Sequence, residues 1–412
     1  MSRPRRGRKH LIALVGLPAR GKTFTARKLA GYLAWLGYPT RVFNVGERRR
    51  TVLGPGQHHE FFDPANREAA ELRHRLAEDE LDDAMAWLRA EGRVAIYDAT
   101  NTTRARRDVI RARSVVEDRD LLFVEIVNQD PAVIETNLRE TKLSSPDYAG
   151  VDEQEALRDF RARIAHYESV YQTLAEDEGA WLRIVDRGRK VEIHEVWGWI
   201  PGRIVGFLTN LQVTRRPIWL TRHGQSTWNV LGRIGGDSEL SPKGREFAKG
   251  LARFVRGHFG KESNLDVWTS TLRRTVETAL PLDIEPGQWK ALDEIHAGVC
   301  DGMSYAEIAA ALPAEFEARK RDKFTYRYPR GESYQDVVQR VDRVIIELER
   351  YRTPVLVIGH RAVLRALAGY FRQIPRAAVP FLPMPLHTLL QLTPTAYGCE
   401  EVRVELEPRV VE

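Results

Sequence analysis

The chain has 412 residues but only two cysteines, Cys300 and Cys399, which lie far apart in the sequence. They provide neither a disulfide framework nor a cysteine-based metal cluster, so we expect a protein of the reducing cytoplasm. Long apolar runs are also missing. The apolar stretch over residues 11–19 is too short to span a membrane and contains Gly16 and Pro18, so it predicts a core strand and not a signal or an anchor. Short-period repeats and low-complexity tracts are absent as well.

The charge balance is basic, with 63 Lys and Arg against 57 Asp and Glu, a formal net charge of +6 and a pI near 9.3. Basic proteins bind nucleic acids, membrane surfaces or anionic metabolites. Part of the charge lies in residues 1–10, which we predict to be a disordered leader, and much of the rest lies on single arginines within the motifs below. Because no aromatic and basic stacking platform stands out, small phosphorylated ligands are favoured over nucleic acid and over membranes.

The length is sufficient for two ordinary domains with full hydrophobic cores. Apolar strand signals alternate with helical patterns along the chain, which predicts α/β folds with doubly wound sheets. We place the first domain at residues 11–213 and the second at residues 214–412.

A phosphate-binding loop opens the first domain. The apolar run over residues 11–15 leads into residues 16–23, which match G-x-x-x-x-G-K-[ST] at every fixed position, and a helical pattern follows. In this context the loop's N–H groups cradle the β- and γ-phosphates of ATP, Lys22 neutralises charge and Thr23 is a ligand of Mg²⁺. A P-loop on the first strand of an alternating pattern predicts a P-loop kinase fold for this domain. The predicted nucleotide-binding residues of the loop are Gly16, Ala19, Arg20, Gly21, Lys22 and Thr23.

Two further signals in the first domain point to phosphoryl transfer. A buried strand over residues 94–98 ends in Asp98, where a carboxylate beside a P-loop strand assists Mg²⁺ or the attacking hydroxyl. Three arginines at positions 48–50 follow the strand over residues 41–45 and begin a predicted polar loop. They fit either an anionic-substrate site or a solvated basic turn.

In the second domain, two apolar strands end in histidine, at Arg222-His223-Gly224 and at Gly359-His360-Arg361. An imidazole can attack phosphorus while a guanidinium holds the equatorial oxygens. His223 alone fits an ordinary strand-end histidine equally well, but the second strand-end histidine favours a shared site. Between them lie paired arginines in residues 269–275 and Glu294 in an apolar setting.

Residues from about 216 to 412 resemble the histidine phosphatase superfamily, which includes phosphoglycerate mutases. This resemblance implies a phosphoglycerate mutase-like fold and a phosphorylated nucleophile, His223. It also implies that Glu294 is the general acid that protonates the leaving oxygen. The residues that would surround the phosphoryl group are Arg222, Arg274, His360 and Asn229.

Almost the whole chain resembles the 6-phosphofructo-2-kinase/fructose-2,6-bisphosphatase family, in that family's domain order. The motifs that carry the resemblance are residues 16–23, 98–103, 145–148, 233–238, 328–334 and 385–388. The resemblance implies an enzyme that uses ATP and Mg²⁺ to phosphorylate fructose 6-phosphate at O2. It also implies hydrolysis of the 2-phosphate of fructose 2,6-bisphosphate, a regulator of glycolysis and gluconeogenesis, and assembly as a homodimer.

The resemblance assigns roles residue by residue. Lys22, Thr23 and Asp98 would serve ATP, Mg²⁺ and transfer, with Lys142 as a further candidate. Fructose 6-phosphate would be bound by Arg49, Arg73, Thr100, Arg106, Arg163 and Tyr167. In the phosphatase half, Gly235 is a further substrate-binding candidate, and the 6-phosphate would be bound by Tyr305, Arg327, Arg330, Arg361 and Arg365.

Four positions depart from the pattern expected of the animal enzymes. Gln225 stands in place of Glu, His296 in place of Asp and Arg361 in place of Gln, so each change makes the phosphatase pocket more positive and favours anionic ligands. Thr325 stands in place of Arg and leaves one guanidinium fewer near Arg327. Both ends of the chain are short, so we expect no extended regulatory tails.

Two alternative functions stay open. The first is a nucleoside or polynucleotide kinase fused to a histidine phosphatase, which would also be basic. The second is a sensor or scaffold with inactive sites, against which stand the expected catalytic side chains present in both halves.

Overall fold

A computed structural model describes residues 7–139, 145–212, 216–260, 264–395 and 398–406. The chain divides into two compact units, Met1–Leu211 and Gln212–Glu412. Each unit contains one six-stranded sheet with accompanying helices, so the predicted α/β class is confirmed for both. Within the described ranges, no helix is both long and apolar enough to cross a membrane.

The sheet of the first unit is parallel except for its last strand. Its strands are β1 (His10–Val15), β2 (Thr40–Asn44), β3 (Val94–Asp98), β4 (Asp120–Val127), β5 (Trp181–Val185) and β6 (Lys190–His194). They follow the order β2-β3-β1-β4-β5-β6, with β6 antiparallel to β5. The helices are α1 (Lys22–Leu36), α2 (Val45–Leu53), α3 (Arg67–Ala90), α4 (Arg104–Val116), α5 (Pro131–Asn137), α6 (Glu153–Glu168) and α7 (Trp199–Leu208).

The central strand β1 explains why the sequence shows a continuous apolar run. All six of its residues are buried, because a central parallel strand is covered on both faces. One face packs with Met85 and Leu88 of α3 in a core cluster that also contains Phe123 of β4. The carboxyl end of β1 therefore presents the phosphate loop from a rigid base.

Helix α2 corrects the predicted loop after the second strand. The helix begins at Val45 because Asn44 caps it, with the side-chain oxygen accepting a hydrogen bond from Glu47 N at 2.8 Å. Glu47 also places a negative charge in the first turn, which the helix dipole favours. The arginines at positions 48–50 consequently lie on a helix and not in a turn.

The sheet of the second unit is mixed. Its strands are β7 (Ile218–Arg222), β8 (Asp266–Thr269), β9 (Gly287–Gln288), β10 (Val355–Gly359), β11 (Thr388–Pro394) and β12 (Cys399–Glu405). They follow the order β12-β11-β7-β10-β8-β9, and β7, β10, β8 and β9 are parallel. The helices are α8 (Thr227–Val230), α9 (Pro242–Phe259), α10 (Arg273–Ala279), α11 (Tyr305–Ala311), α12 (Pro313–Arg321), α13 (Tyr334–Arg350) and α14 (Arg361–Phe371).

Candidate active sites

The two strand-end histidines of the second unit meet at one edge of the sheet. Gly359 pairs with Arg222 in the register of β10 and β7, and His223 N donates to Gly359 O at 3.1 Å. The rings of His223 and His360 lie 5.1 Å apart, and both side chains are buried. The structure therefore brings together the two histidines that separate motifs predicted, because adjacent parallel strands end at the same edge of the sheet.

The hydrogen bonds of His223 define its tautomer. Its Nδ1 lies 2.7 Å from Gly224 O, and a carbonyl can only accept, so Nδ1 carries the proton. Arg274 Nε donates to the opposite nitrogen, Nε2, at 3.2 Å. Burial, reinforced by the Arg274 and Arg222 cations, holds the pKa of His223 well below its ordinary value. The imidazole is thus neutral at neutral pH, with a lone pair on Nε2.

His360 is oriented by a pair of hydroxyl groups. Its Nε2 lies 2.7 Å from Ser270 Oγ, which in turn lies 2.8 Å from Thr275 Oγ1. Its Nδ1 is buried without a hydrogen-bond partner among the described protein atoms. An orphaned buried nitrogen calls for an explanation, and a bound phosphoryl oxygen beside His223 provides one. Ser270 was not among the predicted residues, although it lies within the motif at 269–275.

Glu294 is held by two backbone amides, one of them in the first turn of α14. Its Oε1 accepts from Ile295 N at 3.0 Å and from Ala362 N at 3.1 Å. Because α14 begins directly after His360, the carboxyl group is tied to the same helix terminus as the second histidine. The predicted general acid and the predicted nucleophile therefore border one cavity.

The wall of this cavity depends on two short segments. Asn229 caps α8 in a reciprocal box with Ser226, and its Oδ1 accepts from Ser226 N at 3.1 Å. Arg274 Nη1 donates to Gly236 O at 2.6 Å and so fixes the neighbouring loop. At Gly235 a Cβ atom would lie 1.7 Å from Asp301 Oδ1, and φ is +76°, so the close approach requires glycine.

The cavity encloses about 320 Å³ and contains a second group of cations. Arg319 Nε donates to Tyr328 Oη at 2.7 Å and its Nη2 donates to Tyr305 Oη at 3.0 Å, while Arg365 Nη1 donates to Tyr334 Oη at 3.1 Å. The predicted residues that line it are Arg222, His223, Asn229, Gly235, Arg274, Glu294, Tyr305, Arg361 and Arg365.

The cations that line the cavity differ from the predicted set by additions and by omissions. The lining includes Arg319 and Lys323, which sequence reasoning missed because α12 and the residues just after it have the charged pattern of a solvated surface. Conversely, the structure does not bring Arg327 and Arg330 to the cavity. The Arg327 side chain is 60% exposed and pairs with Asp336, and Arg330 lies in a turn with φ +60°.

The predicted phosphate loop of the first unit has the backbone of a phosphate site. Gly16 adopts φ +139°, and a Cβ atom there would lie 2.5 Å from Ile126 O, while Ala19 is held at φ +60°. Helix α1 begins after Gly21 without a side-chain cap and without an acidic residue in its first turn. Neither a capping side chain nor a first-turn acid therefore competes with an anion at this helix terminus.

Two basic side chains of the loop, Lys22 and Arg20, have acceptors within the first unit. Lys22 Nζ donates to Leu17 O at 2.6 Å, and Arg20 Nη2 lies 3.3 Å from a Glu168 carboxylate oxygen. Thr23 follows Lys22 in the first turn of α1 and is partly exposed. Lys142, the further candidate, lies outside the described residues.

Asp98 lies beside the phosphate loop because the residues that follow it, 100 and 101, bind the end of β1 and the first residue of the loop. Gly16 N donates to Thr100 O at 2.9 Å, and Asn101 Nδ2 donates to Leu14 O at 2.7 Å. Asp98 is 3% exposed at the end of β3 and accepts from Asn44 Nδ2. The donor set of a threonine hydroxyl and a carboxylate fits Mg²⁺, which prefers hard oxygen ligands.

A cluster of arginines surrounds Phe62 in the same unit. The Arg163 guanidinium lies 3.6 Å and the Arg49 guanidinium 5.3 Å from the Phe62 ring centre, and the Tyr167 ring lies 6.1 Å from it. Both arginines share one buried acid, Asp147. Nε and Nη1 of Arg49 are nevertheless buried without hydrogen-bond partners among the described atoms.

This arginine cluster has the character of an anion site. Burial, with the nearby Arg163 cation, lowers the pKa of Arg49, and the same two causes act on Arg73, where Tyr167 opposes them. A bound anion would offset both the cost of burying these guanidinium groups and the repulsion between them. Arg73 itself donates to Phe61 O, whereas Arg106 donates to Tyr97 Oη at 3.1 Å and lies 2.9 Å from His74 Nδ1.

Known proteins match the two units separately and together. A family profile described as 6-phosphofructo-2-kinase matches residues 1–215, and one described as histidine phosphatase superfamily (branch 1) matches residues 218–407. A solved mycobacterial structure titled hydrolase 1 covers 47% of this chain and 98% of its own, at 26% identity and a TM-score of 0.41.

Three relatives share one name, 6-phosphofructo-2-kinase/fructose-2,6-bisphosphatase. The protein from Gallus gallus is 47% identical over 97% of this chain and 86% of its own length, and form 4 from Homo sapiens is 48% identical over 95% and 83%. The Arabidopsis thaliana protein is 47% identical over 98% of this chain, which spans 55% of that relative's length. The resemblance predicted from the motifs is therefore confirmed, and the chain belongs to the 6-phosphofructo-2-kinase/fructose-2,6-bisphosphatase family.

Proposed function

We propose that this chain is a bifunctional enzyme that phosphorylates fructose 6-phosphate at O2 with ATP and hydrolyses the 2-phosphate of fructose 2,6-bisphosphate. The observation that carries the proposal is that each unit brings together one group of residues suited to bind phosphate. The first is the loop at residues 16–23 with Asp98 beside it, and the second is the buried pair His223 and His360. Together the two activities set the level of a regulator of glycolysis and gluconeogenesis.

Hydrolysis proceeds in two steps on His223. First, the Nε2 lone pair forms a bond to phosphorus while the bond from phosphorus to O2 of the sugar breaks. Glu294 in its acid form gives its proton to O2, and fructose 6-phosphate leaves. Second, water attacks phosphorus, the P–N bond breaks, the water proton passes to the Glu294 carboxylate and inorganic phosphate leaves. The proton on Nδ1 stays with His223, held by Gly224 O.

The remaining side chains of the cavity bind the two phosphates. Arg222, Arg274 and His360 hold the equatorial oxygens of the 2-phosphate, which completes the contacts of His360 Nδ1. The 6-phosphate is bound by Arg319, Lys323, Arg361 and Arg365, whose positive charges need an anion in common. Arg361 stands here in place of a neutral residue, so we expect strong retention of anionic ligands.

The pH dependence of substrate binding follows from Lys323. Burial, with the neighbouring cations Arg365, Arg319 and Arg361, lowers the pKa of Lys323 to about 8. The side chain loses its proton as the pH rises through this value, so the cavity loses one positive charge. We expect the KM for fructose 2,6-bisphosphate to rise by up to about tenfold between pH 8 and pH 9. A Lys323→Arg variant should flatten this rise, and an equally steep rise in that variant would contradict the assignment.

In the kinase unit, ATP is held by the backbone of the loop and by Lys22. Thr23 and Asp98 would hold Mg²⁺, which would screen the phosphate charge when bound. O2 of fructose 6-phosphate forms a bond to the γ-phosphorus while the bond from that phosphorus to the bridging oxygen breaks and ADP leaves. Asp98, beside the loop, can also accept the hydroxyl proton.

The arginine cluster around Phe62 supplies the acceptor site. An Arg163→Met variant removes a guanidinium that contacts both Phe62 and the shared acid Asp147. We expect the KM for fructose 6-phosphate to rise by about 30- to 100-fold, the loss of one charge-assisted phosphate contact, with the KM for ATP within about twofold. Steady-state kinase assays with each substrate varied in turn measure both values.

Arg161 provides the matched control for this variant. It lies on the same helix, α6, but is exposed and pairs with Glu135 at 2.9 Å. An Arg161→Met variant should keep both KM values. An equal rise of the KM for fructose 6-phosphate in the two variants would contradict the assignment of Arg163 to the acceptor site.

A panel of phosphoryl acceptors tests the function against its main alternative. The protein is incubated with Mg-ATP and with fructose 6-phosphate, a nucleoside or a 5′-hydroxyl oligonucleotide. Formation of an acid-labile 2-phosphate on the sugar supports the proposal. Phosphorylation of the nucleoside or the oligonucleotide instead would identify a kinase of nucleic-acid components.

Assembly as a homodimer and a cytoplasmic location are part of the proposal. The outer strand β6 exposes Ile193, and Trp197 and Trp199 beyond it are 84% and 66% exposed. An outer strand with apolar neighbours favours pairing with a second copy. Sedimentation velocity measures the assembly, and a monomer at micromolar concentration would contradict it; cell fractionation measures the location.

A further inference from the structure

The segment that carries Glu294 lacks regular structure of its own. A short 3₁₀ turn, Lys290–Leu292, ends at Asp293, and Glu294 follows directly. Backbone carbonyls in such a segment have no ladder partners and must be satisfied by side chains or water. The position of the general acid relative to His223 therefore depends on what binds these carbonyls.

Arg340 binds three of them at once. From helix α13 its Nη2 donates to Asp293 O at 2.7 Å and to Glu294 O at 3.2 Å, and its Nη1 donates to Ala291 O. The planar guanidinium offers five N–H donors in a fixed fork, which suits several acceptors in one segment. The Arg340 side chain is 21% exposed, so these contacts are largely shielded from water.

Glu332 completes the arrangement on the far side of Glu294. It accepts from Arg340 Nε at 2.8 Å through Oε1, and its Oε2 accepts from His296 N at 3.0 Å. In return Glu332 N donates to His296 O at 2.9 Å. The ion pair thus holds the backbone both before and after the general acid.

Helix α13 is a firm reference for this segment, and a second contact holds the segment from elsewhere. The helix begins with a reciprocal cap between Ser333 and Asp336 and buries one face in the core. At the other side of the segment, the Asp293 carboxylate accepts from Thr271 N and Oγ1 at 2.9 and 2.8 Å. Because that contact is independent of Arg340, loss of the guanidinium should shift the segment and not unfold it.

We propose that Arg340 is a positioning residue for Glu294: its guanidinium binds the carbonyls of the segment and fixes the distance from the acid to the leaving oxygen. The inference rests on the proposed function, in which Glu294 is the general acid. A misplacement of 1 Å costs about 10²-fold in rate, so Arg340 would control kcat without touching the substrate.

A double-mutant cycle with Glu294 tests this role. We expect Arg340→Gln to lower kcat for fructose 2,6-bisphosphate hydrolysis by about 30-fold and to leave KM within about threefold. In a Glu294→Gln background, the same change should lower kcat by less than about twofold further, because the acid that Arg340 positions is already absent. Arg340→Lys keeps the charge but not the fork, so we expect a loss of about tenfold.

Arg343 provides the matched control, since it lies exposed on the same helix. Arg343→Gln should keep kcat within about twofold, and thermal unfolding checks the fold of each variant. If Arg340→Gln does not fold, Arg340→Lys carries the same cycle. Equal losses from Arg340→Gln in both backgrounds, no loss in the parent, or a matching loss from Arg343→Gln would overturn the inference. Wild-type turnover in Glu294→Gln would instead overturn the assigned general acid and with it the proposed mechanism.

Discussion

A His223→Ala variant is expected to lose hydrolysis of fructose 2,6-bisphosphate by about 10⁴-fold or more, the scale on which removal of a covalent nucleophile acts. The reason is geometric, because the neutral Nε2 of His223 faces the cavity beside Arg274 and its protonated Nδ1 is held by Gly224. The kinase should continue, since its phosphate loop belongs to the other unit. Hydrolysis rates and trapping of acid-labile phosphoenzyme measure the change.

The control for this variant is His258, an exposed histidine on α9 of the same unit. A His258→Gln variant should hydrolyse the substrate at the parental rate and form the same phosphoenzyme. Substantial hydrolysis or phosphoenzyme in His223→Ala would move the nucleophile to another residue, and His360, 5.1 Å away, would be the first to test.

A Lys22→Met variant should lower the kinase rate by about 10³-fold, on the scale of losing one fixed cation at the transferred phosphate. Lys22 lies at the start of α1, buried against the loop, with Nζ bound to Leu17 O. Its ammonium group is therefore placed to follow the phosphate during transfer. The rate of 2-phosphate formation from Mg-ATP and fructose 6-phosphate measures the effect, and phosphatase turnover should stay within about twofold.

Lys28 on the same helix is the matched control for Lys22. It lies beside Phe24 at 5.9 Å and is partly exposed, so Lys28→Met should keep the kinase rate within about twofold. A kinase that survives Lys22→Met, or that falls equally with Lys28→Met, would contradict the assigned role of the loop.

The features that sequence reasoning predicted well are local ones. The apolar strands β1, β7 and β10 are each buried along their length, so a continuous apolar run indicated them without knowledge of the fold. The candidate site residues come directly after these strands: the phosphate loop after β1, and the two histidines after β7 and β10. Strand ends place catalytic residues at a sheet edge by geometry alone.

The features that it missed depend on contacts between distant segments. Arg319 on α12 and Lys323 just beyond that helix have the charged pattern of a solvated surface, and only the folded chain places them at the cavity. Arg340 sits on the polar side of an amphipathic helix, and the carbonyls that it binds lie more than 40 residues earlier in the chain. Helix α2 was missed for a different reason, because the cap at Asn44 was overlooked.

The departures at three positions have local explanations in the structure. Gln225 Oε1 accepts from Ser241 Oγ at 2.9 Å, at the start of α9. Thr325 Oγ1 donates to Asp322, which closes a turn. His296 Nδ1 accepts from Gly298 N at 3.3 Å. Arg361 differs from these three because it lines the cavity.

The most direct test of the central claim follows the γ-phosphate of labelled ATP through the protein as a whole. With Mg²⁺ and fructose 6-phosphate present, label should enter the 2-phosphate of the sugar, then a phosphohistidine, then inorganic phosphate. In His223→Ala it should stop at the bisphosphate and accumulate there. Release of label that is independent of fructose 6-phosphate, or that bypasses the bisphosphate, would contradict an enzyme that makes and hydrolyses the same metabolite.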